Sequence, residues 1–461
     1  MSLTKDLVER VGELDFGELS AGDLTATRTL LLDHLGVAAN GAHTDSAAAM
    51  QRFTKASPVD EGSPVVGTRL RTEPLPAAMA NAVAAHSIEY DDVHNAASSH
   101  PGVVVFPAAL AAAEIAGVDA AEFLLGCVVG YEVMCRVGRA ANPPAHYGRH
   151  FHPTGTTGHF GAAAAAASIF GLNTDETVSA LGIAATMAAG SMEFLRDGAW
   201  TKRLHPAQAA RNGVEAAQMA QQGFEGTKDG IGGDRGFLAG YSGHPNPKEV
   251  IAAWGDRTLE VQNTSIKAHT CCRYKQGPID ALLEMRAEHG VGPDDVAKIT
   301  IGIPTVADDI IWSPVEAKRR PVTVVDAQFS MPYGAAVAVA RGRASLEEYD
   351  GSLLSDSEIV RLMDLTECVI DTDLDLTYPV QWRAWAELET MDGTVHRAEI
   401  DDPKGDPTNP LSSQELRAKF DDLTSHCYTA PRRDALAMAT ATLGTGTSLA
   451  DMVELLPADA S

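Results

Sequence analysis

Between Trp200 and Gly213 the chain sets Lys202, Arg203 and His205 in one short turn, ahead of a small-residue helical stretch from Pro206 to Gly213. Groups of this kind suit a pocket for a carboxylate, where a fixed ammonium or guanidinium would also spread the charge of a developing enolate. They stand in a chain of 461 residues with 36 basic against 62 acidic side chains, a formal net charge of −26. Such a field repels DNA, RNA and anionic membrane surfaces, so cations gathered in one turn need a local reason. A solvated helix start would be the plain one. Three further polar stretches argue for more: Glu89-Tyr-Asp-Asp-Val93 with Ser99-His100-Pro101, Phe151-His-Pro-Thr154, and Asp326-Ala-Gln-Phe-Ser-Met-Pro-Tyr333.

Several chemistries are disfavoured. The six cysteines, at 127, 135, 271, 272, 368 and 427, form no Cys-x-x-Cys pair and no His/Cys array of zinc spacing. Adjacent Cys271 and Cys272 are a poor start for an iron–sulfur cluster, and Cys271 as a nucleophile has little around it to support it. No Walker sequence occurs, and Gly230 to Gly236 misses the dinucleotide-binding spacing, so it reads as a loop. The expectation is therefore no cofactor and no metal. The acids of Glu89-Tyr-Asp-Asp92 can orient a histidine or bind a cation, but the further oxygen ligands of a Mg²⁺ or Ca²⁺ site are missing. Met1 to Arg10 is amphipathic and charged, unlike a secretory signal, and no uncharged apolar run is long enough to span a bilayer, so a reduced cytoplasmic setting is expected.

The elements that must carry these residues fall into three blocks. Residues 1–264 read as successive helices: Leu19 to Ala38, Ala77 to Ser87, Val104 to Ala116, Ala120 to Val137, Thr156 to Phe170, Thr174 to Gly190 and Ala207 to Gln222. Gly155, Gly158 and Gly161 bare one face of the fifth, marking it as a central packing helix. His152 and Thr154, just ahead of it, have no packing explanation. Residues 265–404 change texture: Val296 to Ile303 alternates as a strand, and Trp382 to Glu389 pairs with Val395 to Ile400 through an Asp392-Gly393 turn. Helical pattern returns in Ser413 to Leu423 and Arg432 to Leu443, so residues 405–461 are expected to rejoin the helical body. The fold class is mostly α with a smaller α+β lid domain.

The runs His86-Ser-Ile-Glu-Tyr-Asp-Asp-Val93, Ser99-His-Pro-Gly102, Phe151-His-Pro-Thr154 and Thr201-Lys-Arg-Leu-His-Pro-Ala207, in this order and spacing, resemble the MmgE/PrpD family. Its corresponding runs look like His-x-x-Asp-Phe-Asp-Asp-Thr, Gly-His-Pro-Ser, Trp-His-Pro-Thr and Thr-Lys-x-Leu-His-x-Gly, and the resemblance covers nearly the whole chain. It implies a homodimer with a metal-free site between a helical domain built from both termini and an inserted lid. Carried over, the site holds Glu89, Asp91 or Asp92, His100, His152, Lys202 and, from the lid, Tyr333. Lys267, Arg273 and Lys275 fall where the lid begins. Arg203, His205, Asp92, Arg273 and Lys275 are expected to bind substrate. His100 and His152, otherwise readable as turn imidazoles before Pro101 and Pro153, become the proton-transfer pair, with acid and base roles open.

Four departures stand out: Glu89 for a common Asp, Val93 for Thr, Gly102 for Ser and Ala207 for Gly. The implied reaction is loss of water or carbon dioxide from a small di- or tricarboxylic acid, with dehydration of the 2-methylcitrate type first and decarboxylation beside it. An epimerase of a dicarboxylic acid such as iminodisuccinate is the alternative. A noncatalytic carboxylate-binding protein is a third reading, against which stands the presence of His100, His152, Lys202 and Tyr333 together.

Overall fold

A computed structural model describes residues 2–55, 58–254 and 258–459. The first half is a helical body with helices at Ala21–Gly41, Pro74–Ala85, Gly102–Ala116, Ala120–Ala140, Pro153–Ile169, Thr174–Met187 and Thr201–Gln221. Each apolar periodicity in the sequence has its helix. The last one differs most: it begins at Thr201, so Lys202, Arg203 and His205 lie within its opening turns rather than in a turn before it. Pro206 sits inside this helix. Lacking the amide that would reach back to the Lys202 carbonyl, it makes a helix start at Pro206 the natural reading of the sequence.

The Pro153–Ile169 helix is buried on nearly every face, packed against Ala120–Ala140, Thr201–Gln221 and Gly102–Ala116. Its glycines allow this. A Cβ on Gly161 would lie 2.7 Å from Met134 Cβ, one on Gly158 3.0 Å from Ala209 Cβ, and one on Gly155 2.7 Å from the Ala189 carbonyl oxygen.

A second core belongs to residues from Cys271 to Ile400. Its four-stranded sheet has the order Thr366–Ile370, Val296–Ile303, Ala384–Thr390, Val395–Ile400; the first pair is parallel and the others antiparallel. The hairpin turns at Asp392-Gly393, with Gly393 at φ +85° and Asp392 Oδ1 accepting from the Thr394 amide at 3.0 Å. The Gln276–His289 helix packs on the last two strands and against the Met331–Arg341 helix.

Ser413–Thr424 and Ala430–Ala441 return to the body and pack on Ala21–Gly41, adding Phe420 and Leu436 to the first core. No described helix is long and apolar enough to cross a membrane.

Because the atoms facing Gly161 belong to a helix backbone and a Cβ, Gly161→Ala is expected to overpack this contact and cost about 1–3 kcal/mol, read as a lower urea midpoint at unchanged m-value.

Candidate active site

The Pro74–Ala85 helix ends into an acidic turn that the rest of the site grips from several sides. Glu89 has φ +54°, a left-handed conformation unusual for a residue with a Cβ. The turn is held there from above and below. Gln328 Nε2 donates to the Ile88 carbonyl at 3.1 Å, Lys267 Nζ to the Glu89 carbonyl at 3.1 Å, and Lys419 Nζ to the Tyr90 carbonyl at 2.9 Å. The Glu89 carboxylate meets the Lys202 ammonium in a direct hydrogen-bonded ion pair. Asp91 Oδ1 lies 3.2 Å from Lys267 Nζ. Burial alone would raise both carboxyls; for Glu89 the nearby ammoniums of Lys202 and Lys267 outweigh it, and for Asp91 Lys267 with two histidines does, so both are held below the usual range. A metal ion here would have to displace an ammonium.

Four imidazoles gather beside these acids. His86 Nδ1 donates to Asp91 Oδ2 at 2.8 Å, and His100 Nδ1 donates to the Asp92 carbonyl at 2.6 Å, with Asp91 Oδ2 at 3.2 Å. Nε2 of His100 is left with the lone pair, as a base requires. The His86 ring lies 5.2 Å from His100 and 5.8 Å from His152, and His152 Nδ1 sits 3.1 Å from His205 Nδ1. Burial pushes His100 down to about 3 and His205 to about 4, and holds His86 and His152 low as well. Before substrate arrives, all four are neutral at pH 7.

His100, His152, Glu89, Val93 and Lys202 from the body share a narrow cavity of about 40 Å³ with Arg273, Tyr274, Ile310, Phe329 and Trp382 from the second core. Arg273 is the lid's cation: Nη2 pairs with Asp406, Nε donates to Asn95 Oδ1 at 3.1 Å, and buried Nη1 has no hydrogen-bond partner among the described residues. Lys202 Nζ also lies 4.8 Å over the Phe329 ring.

The other residues chosen from sequence lie elsewhere. Tyr333 is a correction: fully buried in the lid core, it donates to the Glu348 carbonyl at 2.6 Å and packs on Tyr349, outside the cavity wall. Lys275 is another. Its ammonium is spent on the Ala327 carbonyl at 2.8 Å and the Tyr349 hydroxyl at 2.9 Å, and burial lowers it to about 8. Asp92 stands behind the wall, accepting from Tyr131 at 2.7 Å and the Gly102 amide at 3.0 Å, with burial raising it to about 7. Arg203 reaches Ser46 Oγ at 2.7 Å, and His205 backs His152. Thr154 Oγ1 accepts from the His100 amide at 3.1 Å. Cys271 is an inert thiol, burial raising it to about 11. Sequence reasoning gave no role to His86, Tyr147, Met192, Phe194 or Trp382, which complete the site, although His86 opens the first quoted run.

Models of the MmgE/PrpD N-terminal and C-terminal domains match residues 5–250 and 269–443. The chain belongs to the MmgE/PrpD family. It is 30% identical to the cis-aconitate decarboxylase-like protein oryM of Aspergillus oryzae, over 99% of this chain and 97% of that one. It is also similar to the cis-aconitate decarboxylases of Homo sapiens, at 27% over 91% and 87% of the two chains, and of Aspergillus terreus, at 24% over 98% and 96%. This MmgE/PrpD chain is thus an enzyme, of the lyase kind.

The neutral histidines set a pH dependence. His86, His100, His152 and His205 lie below their ordinary value of 6.5 when folded, so below that pH the unfolded chain binds more protons and stability falls with acidification. Asp92, held up to about 7, takes its proton in the folded state first and opposes this by one proton. The expected result is a folding free energy that declines from pH 6.5 to 5, with His100→Asn reducing the slope by up to about 1.4 kcal/mol per pH unit, measured by urea unfolding.

Proposed function

We propose that this chain is a cofactor-independent carboxy-lyase acting on a small unsaturated tricarboxylate of the cis-aconitate kind. The observation that carries the reading is one cavity holding Lys202 and the incompletely paired Arg273 on walls from two cores, with neutral His100 and His152 beside them. The names of relatives matched along almost the whole chain support decarboxylation over the dehydration expected from sequence.

The charges explain the order of events. In the resting site the Glu89 and Asp91 carboxylates are matched by the Lys202 and Lys267 ammoniums. A bound tricarboxylate therefore brings surplus negative charge, which raises the adjacent imidazoles and loads one with a proton from solvent. Arg273 and Lys202 hold carboxylates, and Met192, Phe194, Ile310, Phe329 and Trp382 supply apolar wall for the one that departs. Its C–C bond breaks, neutral carbon dioxide leaves, and the electron pair moves into the unsaturated carbon skeleton, where Lys202 spreads the charge. The imidazolium then gives its proton to carbon. A trianion and one proton become a dianion and carbon dioxide; no electrons are exchanged with an outside carrier. The general acid's proton comes from His100 or His152, worth typically about 10²- to 10⁴-fold in rate.

The test is incubation in D₂O with cis-aconitate, citrate, 2-methylcitrate and iminodisuccinate, following mass, deuterium and optical configuration. Loss of carbon dioxide with one solvent deuterium in the product is expected. Loss of water would instead make the enzyme a dehydratase, and deuterium gain with inverted configuration and no fragment lost an epimerase. Lys202→Ala is expected to lower kcat on the order of 10²- to 10³-fold. Arg273→Lys, which keeps the charge and loses the fork, is expected to raise KM more than it lowers kcat.

A further inference from the structure

Among the described residues, one group of potential metal ligands stands apart from the active cavity. His43 follows the C-terminal end of the Ala21–Gly41 helix, and His426 with Cys427 lies in the turn between Ser413–Thr424 and Ala430–Ala441. These helices are packed together, which brings one ligand atom from each of the three side chains within 4.8 Å of the others. The two imidazole rings meet edge to face, 4.7 Å between centroids.

His43 has the surroundings a metal ligand needs. His43 Nε2 donates to the Gly67 carbonyl at 3.1 Å, which fixes the tautomer and leaves Nδ1 with the lone pair. That carbonyl is itself rigidly placed. The Gly67 amide is tied to the Tyr428 hydroxyl at 3.0 Å and the Leu456 carbonyl at 3.1 Å, and a Cβ there would lie 2.7 Å from Ala39 Cα. Cys427 is 9% exposed, its amide bonded to the Thr424 carbonyl at 3.1 Å, while both histidines are exposed and open a path for an ion.

Two imidazoles and one thiol select a thiophilic divalent cation over Mg²⁺ or Ca²⁺. We propose that His43, His426 and Cys427 bind Zn²⁺ or a cation like it, with water completing a tetrahedron, and so clamp the first long helix to the C-terminal pair of helices. Metal–ligand lengths of about 2.0–2.3 Å require the ligand atoms to draw closer than they stand, a movement that rotation of the exposed His426 ring supplies. Burial raises the Cys427 thiol to about 12 and its Sγ donates to the Thr424 carbonyl at 3.5 Å, so ligation must break that contact and drive the proton to solvent. The clamp joins the helix that carries Asp33 to the helix that carries Lys419, whose side chains form an ion pair at 2.7 Å beneath the acidic turn.

The experiment uses the untagged full-length enzyme, stripped with a chelator and titrated with Co²⁺. Expected is a near-ultraviolet thiolate-to-cobalt charge-transfer band that saturates at one equivalent, is bleached by Zn²⁺ and is untouched by excess Mg²⁺. Cys427→Ser should abolish the band, and His426→Gln, a surface change that spares folding, should weaken Co²⁺ binding by at least about tenfold. Zn²⁺ should raise the Tm of the parent enzyme and leave that of Cys427→Ser unmoved. Absence of the band in the parent, or a band or Tm shift that survives Cys427→Ser, overturns the proposal.

Discussion

The buried ion cluster at the acidic turn is the constraint on which the rest of the structure depends. Two carboxylates taken out of water would be prohibitively costly alone, and removing one partner of such a pair typically costs about 3–5 kcal/mol because the other charge is stranded. Here Glu89 and Asp91 from one turn are met by Lys202 and Lys267 from two separate segments. Lys419, from a third, holds the Tyr90 and Lys267 carbonyls and pairs with Asp33. The second core reaches the same turn through Gln328, which donates to the Ile88 carbonyl at 3.1 Å. The histidines take their properties from the same cluster: burial keeps them neutral, and His86 and His100 are oriented by Asp91 and the Asp92 carbonyl.

Much of this was legible in the sequence because it was local. The Val296–Ile303 and Val395–Ile400 strands stand at the residues read from alternation, and the Asp392-Gly393 turn joins its hairpin as its residue types require. Glu89, His100, His152 and Lys202 were found through short runs, and all four line one cavity. Tyr333 and Lys275 were misplaced for a common reason. A buried phenol or ammonium satisfied by carbonyl groups has the same sequence signature as one facing a substrate. Lys419 and Phe194 were not legible at all, since nothing near them in sequence tells which turn or ring they will reach. The non-local grouping of His43 with His426 and Cys427 likewise escapes any search for ligand spacing.

The departures from the family runs acquire physical content. A Cβ at Gly102 would lie 2.9 Å from both Asp92 Oδ2 and the Tyr131 hydroxyl, so a serine there would displace the contacts that hold Asp92. Val93 pairs with Ser265 in a two-residue strand and lines the cavity with an apolar side chain where a threonine would place a hydroxyl. Glu89 leaves its turn in a left-handed conformation, and its longer side chain is the one that meets Lys202.

The placement of Lys267 and Lys419 also has a bearing on how the molecule is made. A ribosome that has released only the helices up to Gln221 has delivered Asp33, Glu89 and Asp91 without two of the three ammoniums that neutralise them. The buried carboxylates of the body therefore meet their full set of counter-charges only when Lys267 and, from a helix near the far end of the chain, Lys419 have been added, so the electrostatic balance of the catalytic centre belongs to the whole chain.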